Sequence, residues 1–409
     1  MNQESDLREG PIVLFNIPAT GHINPTVPVV AELVKRGERV IYYATEAYRT
    51  QIEGTGAELR TYNLDVDFTP GPGVAGPLSA MVQIIHAAEA IIPHVIDQLR
   101  ADRPDVIIYD SMCVWGKQLA QMLRVPAICS CSIFVACSKN ARALPGNFEL
   151  LPQILAMSPQ LIGWLRQFRA STKRLKQRYG VDTPGPLDFF ANPGEMTLTY
   201  SSRYFQVGAD LLGESFKFVG PSIAPRGDDG DFPFDWLTGA PVIYISLGTL
   251  MNDRPEFYRA CFAAFKDTPY RVVLSLGRRV DRAQVGEVPA NFLVREHVPQ
   301  LNVLQRAALF ITHGGMNSTV ESAWFGVPMI VVPQMGDQLF VASRIEQLGA
   351  GVRMKPAQAT AAGLRTQADR VVSDDRFRAA SAQIGASLRA AGGFAVAADE
   401  IQSFIRKQA

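Results

Sequence analysis

Short runs of aliphatic and β-branched residues alternate along the chain with longer stretches whose apolar positions recur at helical spacing. In the first half, Pro11 to Ile17, Val40 to Ala44, Leu59 to Tyr62, Val106 to Tyr109 and Ala127 to Cys131 read as strands. Between them the pattern predicts helices from Asn24-Pro25 to Lys35-Arg36, around Glu46 to Glu53, from Leu78 to Leu99 with a bend near Pro93, and from Trp115 to Leu123. Asparagine at the cap with proline next, and basic residues before Gly37, are ordinary helix ends. Strands alternating with helices imply a parallel sheet covered on both faces. Met196 to Thr199 and Phe216 to Val219 close this first rhythm, and Pro221 to Gly239, rich in Pro, Gly and Asp, reads as a linker.

The rhythm then restarts with strands at Val242 to Ser246, Arg271 to Leu276, Phe292 to Arg295, Leu309 to Thr312 and Met329 to Val332. Its helices fall at Glu256 to Phe265, Asn317 to Trp324, Leu339 to Leu348, Gly363 to Ser373 and Arg376 to Ala391, before a last amphipathic segment, Ala395 to Ile405. The expectation is an α/β protein of two Rossmann-like parallel-sheet domains, residues 1–220 and 221–393, with 394–409 as a C-terminal helix.

A chain of 409 residues suits two cores better than one, and 47% apolar residues can fill them. The formal charge of +1 gives no global pull toward nucleic acid. The polar start, Met1 to Glu9, is followed by an apolar run, Ile12 to Ile17, too short for a signal segment. The best membrane-span candidate, Leu78 to Leu99, is interrupted by Gln83, His86, Glu89, Pro93 and His94. Five cysteines without zinc-type spacing read as reduced core thiols. A soluble cytoplasmic protein is expected, its oligomeric state unreadable. The basic stretch Leu161 to Tyr179 has a membrane-surface reading, but a solvated helix over a binding cleft is the expectation, with membrane association not expected.

Candidate chemistry gathers where strands end. Thr312 is followed by His313-Gly314-Gly315 and then a helix, which leaves backbone N–H groups and the positive end of a helix dipole aimed at one spot, a phosphate site. His313 adds a donor there, together with Gly315, Asn317 and Ser318. Ser246, Gly248 and Thr249, after the second half's first strand, add hydroxyl or backbone contacts, with plain turn chemistry as the alternative. Glu321 can accept from a diol, or it can close a capping box with Ser318. Asp337 and Gln338 follow the strand Met329 to Val332, where Asp337 can equally be a helix cap. His22 and Asp110 both follow strands of the first half. A histidine there can act as a base while a carboxylate holds its other nitrogen. Gly71-Pro-Gly73-Val-Ala-Gly76 matches a dinucleotide fingerprint, yet Pro70, Pro72 and Pro77 remove the needed N–H donors, so it reads as a loop. Asp65-x-Asp67 and Asp229-x-Asp231 read as solvated loops rather than metal ligands.

His313-Gly-Gly-Met-Asn-Ser-Thr-x-Glu321 followed by Val332-Pro-Gln-x-x-Asp-Gln338, with Asn16-Ile-Pro-Ala-Thr-Gly-His22 and Gly220-Pro221 upstream, resembles family 1 UDP-glycosyltransferases. The resemblance is greatest to the bacterial macrolide group and covers nearly the whole chain. It implies the GT-B fold, two Rossmann-like domains facing an interdomain cleft, with the last helix packed back on the first domain. It implies His22 as base, Asp110 as its orienting partner, Glu321 on ribose hydroxyls, and Asp337 and Gln338 on the sugar, typically glucose. His297, Val298 and Gln300 match the segment that contacts the base, although many relatives carry a tryptophan at the position of His297. The implied reaction is inverting, metal-independent transfer of a hexose from a UDP-sugar co-substrate to a lipophilic small molecule such as a macrolide, polyketide or flavonoid. Alternatives are a sugar-nucleotide epimerase or hydrolase of similar fold, a transferase with a lipid acceptor, and a non-catalytic partner of another transferase.

Overall fold

The computed structural model describes residues 10–62, 76–144, 158–227, 230–249 and 252–408. The chain divides into two compact units, one formed by residues up to Tyr200 with Gly208–Ser222 and Ala391–Ala409, the other by Ser201–Val207 and Ile223–Ala390.

The first unit carries β1 (Ile12–Phe15), α1 (Thr20–Lys35), β2 (Val40–Ala44), α2 (Arg49–Glu53), β3 (Glu58–Thr61), α3 (Gly76–Asp102), β4 (Val106–Asp110), α4 (Val114–Leu123), β5 (Ala127–Cys131), α5 (Ser158–Tyr179), β6 (Met196–Thr199) and β7 (Phe216–Phe218). Its seven strands lie in the order β3-β2-β1-β4-β5-β6-β7, and every pair is parallel. All residues of β1, β2, β4, β5 and β6 are buried, which is why these strands read as continuous apolar runs rather than alternating ones. Successive side chains feed opposite faces. Val13 and Phe15 join a core with α3, whereas Ile12 and Leu14 join another with α1 and the last helix, Phe394–Gln408. That helix is tied to α1 by Arg36 to Asp399 at 2.6 Å and to the following turn by Gln402 to Glu38 at 2.7 Å.

The start of α1 differs from the prediction. The N–H groups of His22 and Ile23 already donate to the Ala19 carbonyl at 2.9 and 3.0 Å, so the helix is wound before Asn24. The Asn24 side chain accepts from Gln51 instead of capping, and Pro25 and Pro28 lie inside the helix. Helix α3 begins at Gly76, the last glycine of the refused fingerprint match; Gly71, Gly73, Asp65, Asp67 and Asp229 lie outside the described residues. Residues Leu78–Asp102 of α3, the span candidate in the sequence, are long and apolar enough to cross a membrane by length and composition alone. Much of that apolar surface, including Ile84, Ile85, Ile91, Ile92 and Leu99, is buried in the first unit's core.

The second unit carries β8 (Val242–Ser246), α6 (Pro255–Phe265), β9 (Arg271–Ser275), β10 (Phe292–Arg295), α7 (Gln300–Leu304), β11 (Ala307–Thr312), α8 (Met316–Trp324), β12 (Met329–Val331), α9 (Gln338–Gln347), β13 (Gly351–Arg353), α10 (Ala361–Ser373) and α11 (Asp375–Ala390). The parallel order is β10-β9-β8-β11-β12-β13. Strand β13 escaped the sequence reading because three residues starting with glycine carry almost no periodic signal. In both sheets the chain winds outward one way and then the other. The reversal falls between β1 and β4 in the first and between β8 and β11 in the second. Ligands in open parallel sheets bind beyond the carboxyl ends of strands at such a reversal.

Candidate active site

At the first reversal, His22 sits in the opening turn of α1, just after β1, and Asp110 is the last residue of the neighbouring β4. The imidazole Nδ1 lies 2.7 Å from Asp110 Oδ2. The Asp110 side chain is fully buried, and its other oxygen accepts the Met112 N–H at 2.9 Å, which fixes the carboxylate. A carboxylate facing Nδ1 selects the tautomer with its proton there and leaves the Nε2 lone pair as acceptor. The His22 carbonyl accepts from Asn16 Nδ2 at 3.1 Å, so the backbone beneath the ring is held as well.

At the second reversal, Thr312 of β11 is paired in register with Ser246 of β8 and Val331 of β12. His313 follows, and two glycines enclose its ring. A methyl group built on Gly248 would stand 2.6 Å from Cε1, and one on Gly315 would stand 2.5 Å from Nε2. Gly248 also needs its freedom of backbone, since its φ is +76°. Its carbonyl accepts from the buried Asn252 at 2.9 Å and its N–H donates to Ser246 Oγ at 3.2 Å. Burial pushes the His313 pKa down to about 4, with the Ser246 backbone opposing it. The ring is therefore neutral near pH 7 and brings a hydrogen-bonding group, without charge, beside any anion. Gly315 is the N-cap of α8 and no side chain caps the first turn, so the N–H groups of Met316, Asn317 and Ser318 have no partner within the helix.

The capping-box alternative for Glu321 is overturned. The helix starts at Met316, so Ser318 lies inside its first turn and Glu321 lies beyond reach of the cap. The carboxylate is 1% exposed and ion-pairs with Arg226, while Gln300 Nε2 donates to its other oxygen at 2.6 Å. Gln300 also donates to Ser318 Oγ at 3.3 Å and accepts from Tyr244 at 3.1 Å. Gln300 thus links Tyr244 and Ser318 to Glu321 and helps to position that carboxylate. Asp337 stands at the N-cap of α9, the position the cap alternative gives it, although its side chain makes no cap hydrogen bond. Gln338 Oε1 accepts the N–H groups of Gln334 and Met335 at 2.8 and 3.2 Å and so shapes the loop after β12. His297 and Thr249 are exposed at the ends of β10 and β8, and Val298 is buried. Among the described residues no three His, Cys, Asp or Glu side chains gather as a metal cluster would.

The model of the erythromycin biosynthesis protein CIII-like C-terminal domain matches residues 262–393. The uncharacterized UDP-glucosyltransferase YojK of Bacillus subtilis is 33% identical over 405 residues, covering 97% of this chain and 98% of that protein. The demethyllactenocin mycarosyltransferase of Streptomyces fradiae is 34% identical over 421 residues, covering 98% and 88%. The chain belongs to the family 1 glycosyltransferases, in the bacterial macrolide group. The crystal structure of the kitacinnamycin glycosyltransferase, 31% identical, superposes with a TM-score of 0.79 over 97% of this chain and 99% of that one, which makes the fold GT-B.

Two residues of this glycosyltransferase escaped the sequence reading. Arg226 lies in what read as a linker, where nothing in the local pattern points to a partner 95 positions away. Ser132 lies just after β5, beside β4, and its hydroxyl is 2.9 Å from His22 Nδ1. A polar residue directly following an apolar strand next to the Asp110 strand was the available signal.

Proposed function

We propose that the enzyme transfers glucose from UDP-glucose to a hydroxyl of a lipophilic small molecule, a macrolide, polyketide or flavonoid, with inversion and without a metal, in the cytoplasm. The observation that carries this reading is the buried Asp110 holding His22 Nδ1 at 2.7 Å, because it dedicates the opposite nitrogen to one proton. The acceptor hydroxyl loses its proton to Nε2 as its oxygen bonds the anomeric carbon and the bond to the diphosphate oxygen breaks. Asp110 stabilises the imidazolium that forms. The negative charge that develops on the leaving diphosphate falls to the first-turn N–H groups of α8 beside neutral His313. A helix terminus alone contributes only about 0.3–2 kcal/mol, so Ser246, Thr249, Asn317 and Ser318 act with it. Glu321 takes the ribose hydroxyls through lone pairs not used by Arg226 and Gln300, Asp337 and Gln338 take the sugar, and His297 stacks on uracil.

Names such as UDP-glucosyltransferase among the relatives support the donor, and mycarosyltransferase supports a macrolide-type acceptor. The test is mass spectrometry of the purified enzyme with UDP-glucose and an aglycone panel, after thermal-shift ranking of UDP, TDP, ADP and GDP. A glucosylated product formed equally in EDTA, and little donor consumed without acceptor, is expected. His22→Ala should lower transfer by about 10²–10⁴-fold while the UDP shift persists. Donor turnover without any acceptor would favour a hydrolase or epimerase instead.

A further inference from the structure

We infer that Ser132 is a positioning residue for the catalytic imidazole, the third member of a set drawn from three adjacent strands. The inference rests on the reading of His22 as base. Strands β1, β4 and β5 are neighbours in the sheet. His22 follows the first, Asp110 ends the second and Ser132 follows the third, so the topology delivers all three to one end of the sheet. Ser132 is 6% exposed, and its Oγ stands 2.9 Å from the Nδ1 that Asp110 Oδ2 approaches at 2.7 Å.

One nitrogen with two polar neighbours has a definite proton assignment. A carboxylate can only accept, so Nδ1 carries the hydrogen and donates it to Asp110. The serine oxygen then receives a share of the same N–H, and its own proton points elsewhere. Two acceptors on different strands restrain the ring about both its tilt and its twist, where one carboxylate would leave a hinge. Neighbouring Ser130 does not compete for this role, since its hydroxyl is engaged with Tyr200 at 2.9 Å. Nε2 is thereby aimed in one direction, and aim matters because a base displaced by about 1 Å loses on the order of 10²-fold in rate.

The experiment uses the full chain with three variants, Ser132→Ala, Ser132→Thr and His22→Ala, each assayed for transfer, UDP thermal shift and ¹⁵N imidazole chemical shifts. Ser132→Ala should lower kcat about tenfold, the size of one lost hydrogen bond, with KM for the sugar nucleotide and the UDP shift unchanged. Its His22 Nδ1–H signal should broaden as the ring gains freedom, and Ser132→Thr should restore both. A structural loss would instead lower the melting temperature and raise KM as kcat falls. Wild-type kcat and an unaltered Nδ1–H signal in Ser132→Ala overturn the inference while leaving the base assignment intact. A fully active His22→Ala variant overturns the base assignment, and the positioning role with it.

Discussion

Gly315→Ala tests the donor half of the site with the least chemistry introduced. The residue has φ −61° and ψ 137°, a conformation that any L-residue adopts, so alanine brings no backbone strain. The new methyl would lie 2.5 Å from His313 Nε2 and 2.9 Å from Cε1. Non-bonded heavy atoms settle at roughly 3.5–4.0 Å, so the ring has to retreat by about 1 Å. Gly248 packs on the same Cε1–Nε2 edge, where a methyl built on it would stand 2.6 Å from Cε1, so little free space borders that edge. Overpacking of this kind costs about 1–3 kcal/mol, and if His313 meets the diphosphate as proposed, its displacement by about 1 Å costs on the order of 10² in rate. Urea unfolding reads the first quantity and calorimetric UDP titration with transfer rates reads the second. The cause is isolated by His313→Ala/Gly315→Ala: without the ring the methyl meets nothing, so the double variant should be no less stable than His313→Ala alone. Wild-type stability and UDP affinity in Gly315→Ala would refute the enclosed-ring argument, as would simple additivity in the double variant.

Acid should weaken the fold through His313. Its folded pKa of about 4 lies below the ordinary 6.5, so as pH falls the unfolded chain takes up the proton first. The contribution is complete above 6.5 and is lost between there and about 4, at most about 3 kcal/mol; urea unfolding at pH 7 and 5 should show a larger loss in the wild type than in His313→Gln. Arg226→Met should destabilise by about 3–5 kcal/mol, because Glu321 is left buried with Gln300 alone. Adding Glu321→Met should recover most of that loss in the same unfolding assay, and a double variant as unstable as the single one would contradict a pairing role for Arg226.

What the sequence disclosed follows the range of the interaction concerned. Strands such as Val40–Ala44 and Ala127–Cys131 came out with correct ends because a sheet buried on both faces forces unbroken apolar runs, a purely local signature. The start of α1 did not. Asn24-Pro25 is a strong local cap signal, and it lost to Asn16 and Gln51, which satisfy the His22 carbonyl and the Asn24 side chain from other elements. The serine–glutamate spacing in α8 likewise matched a capping box, yet Arg226 and Gln300 claimed the carboxylate from segments distant in sequence. The glycines of the candidate site illustrate the same limit. Gly248 and Gly315 invited a reading as exposed backbone donors, whereas the geometry shows that each also makes room for a histidine ring.

The two sheets reach the same architectural solution and fill it with opposite chemistry. Each reverses its winding beside its first strand, and each presents a histidine just beyond a strand that borders the reversal. What separates the two imidazoles is the partner that the fold supplies. His22 faces a buried carboxylate, which stabilises a ring that gains a proton. His313 faces two glycines and a backbone carbonyl, an enclosure with no anion, and its pKa falls to about 4. A proton delivered to the second ring would be expelled, and an anion placed beside the first would meet Asp110. The roles are therefore not interchangeable, and the difference lies in Asp110. Asp110→Asn should accordingly harm proton transfer at His22 while UDP affinity stays at the wild-type value, because the amide can donate to Nδ1 and select the wrong tautomer. Calorimetric UDP titration beside transfer rates would expose the opposite outcome, an affinity that falls in step with kcat, and that would dissolve the division between base and anion site.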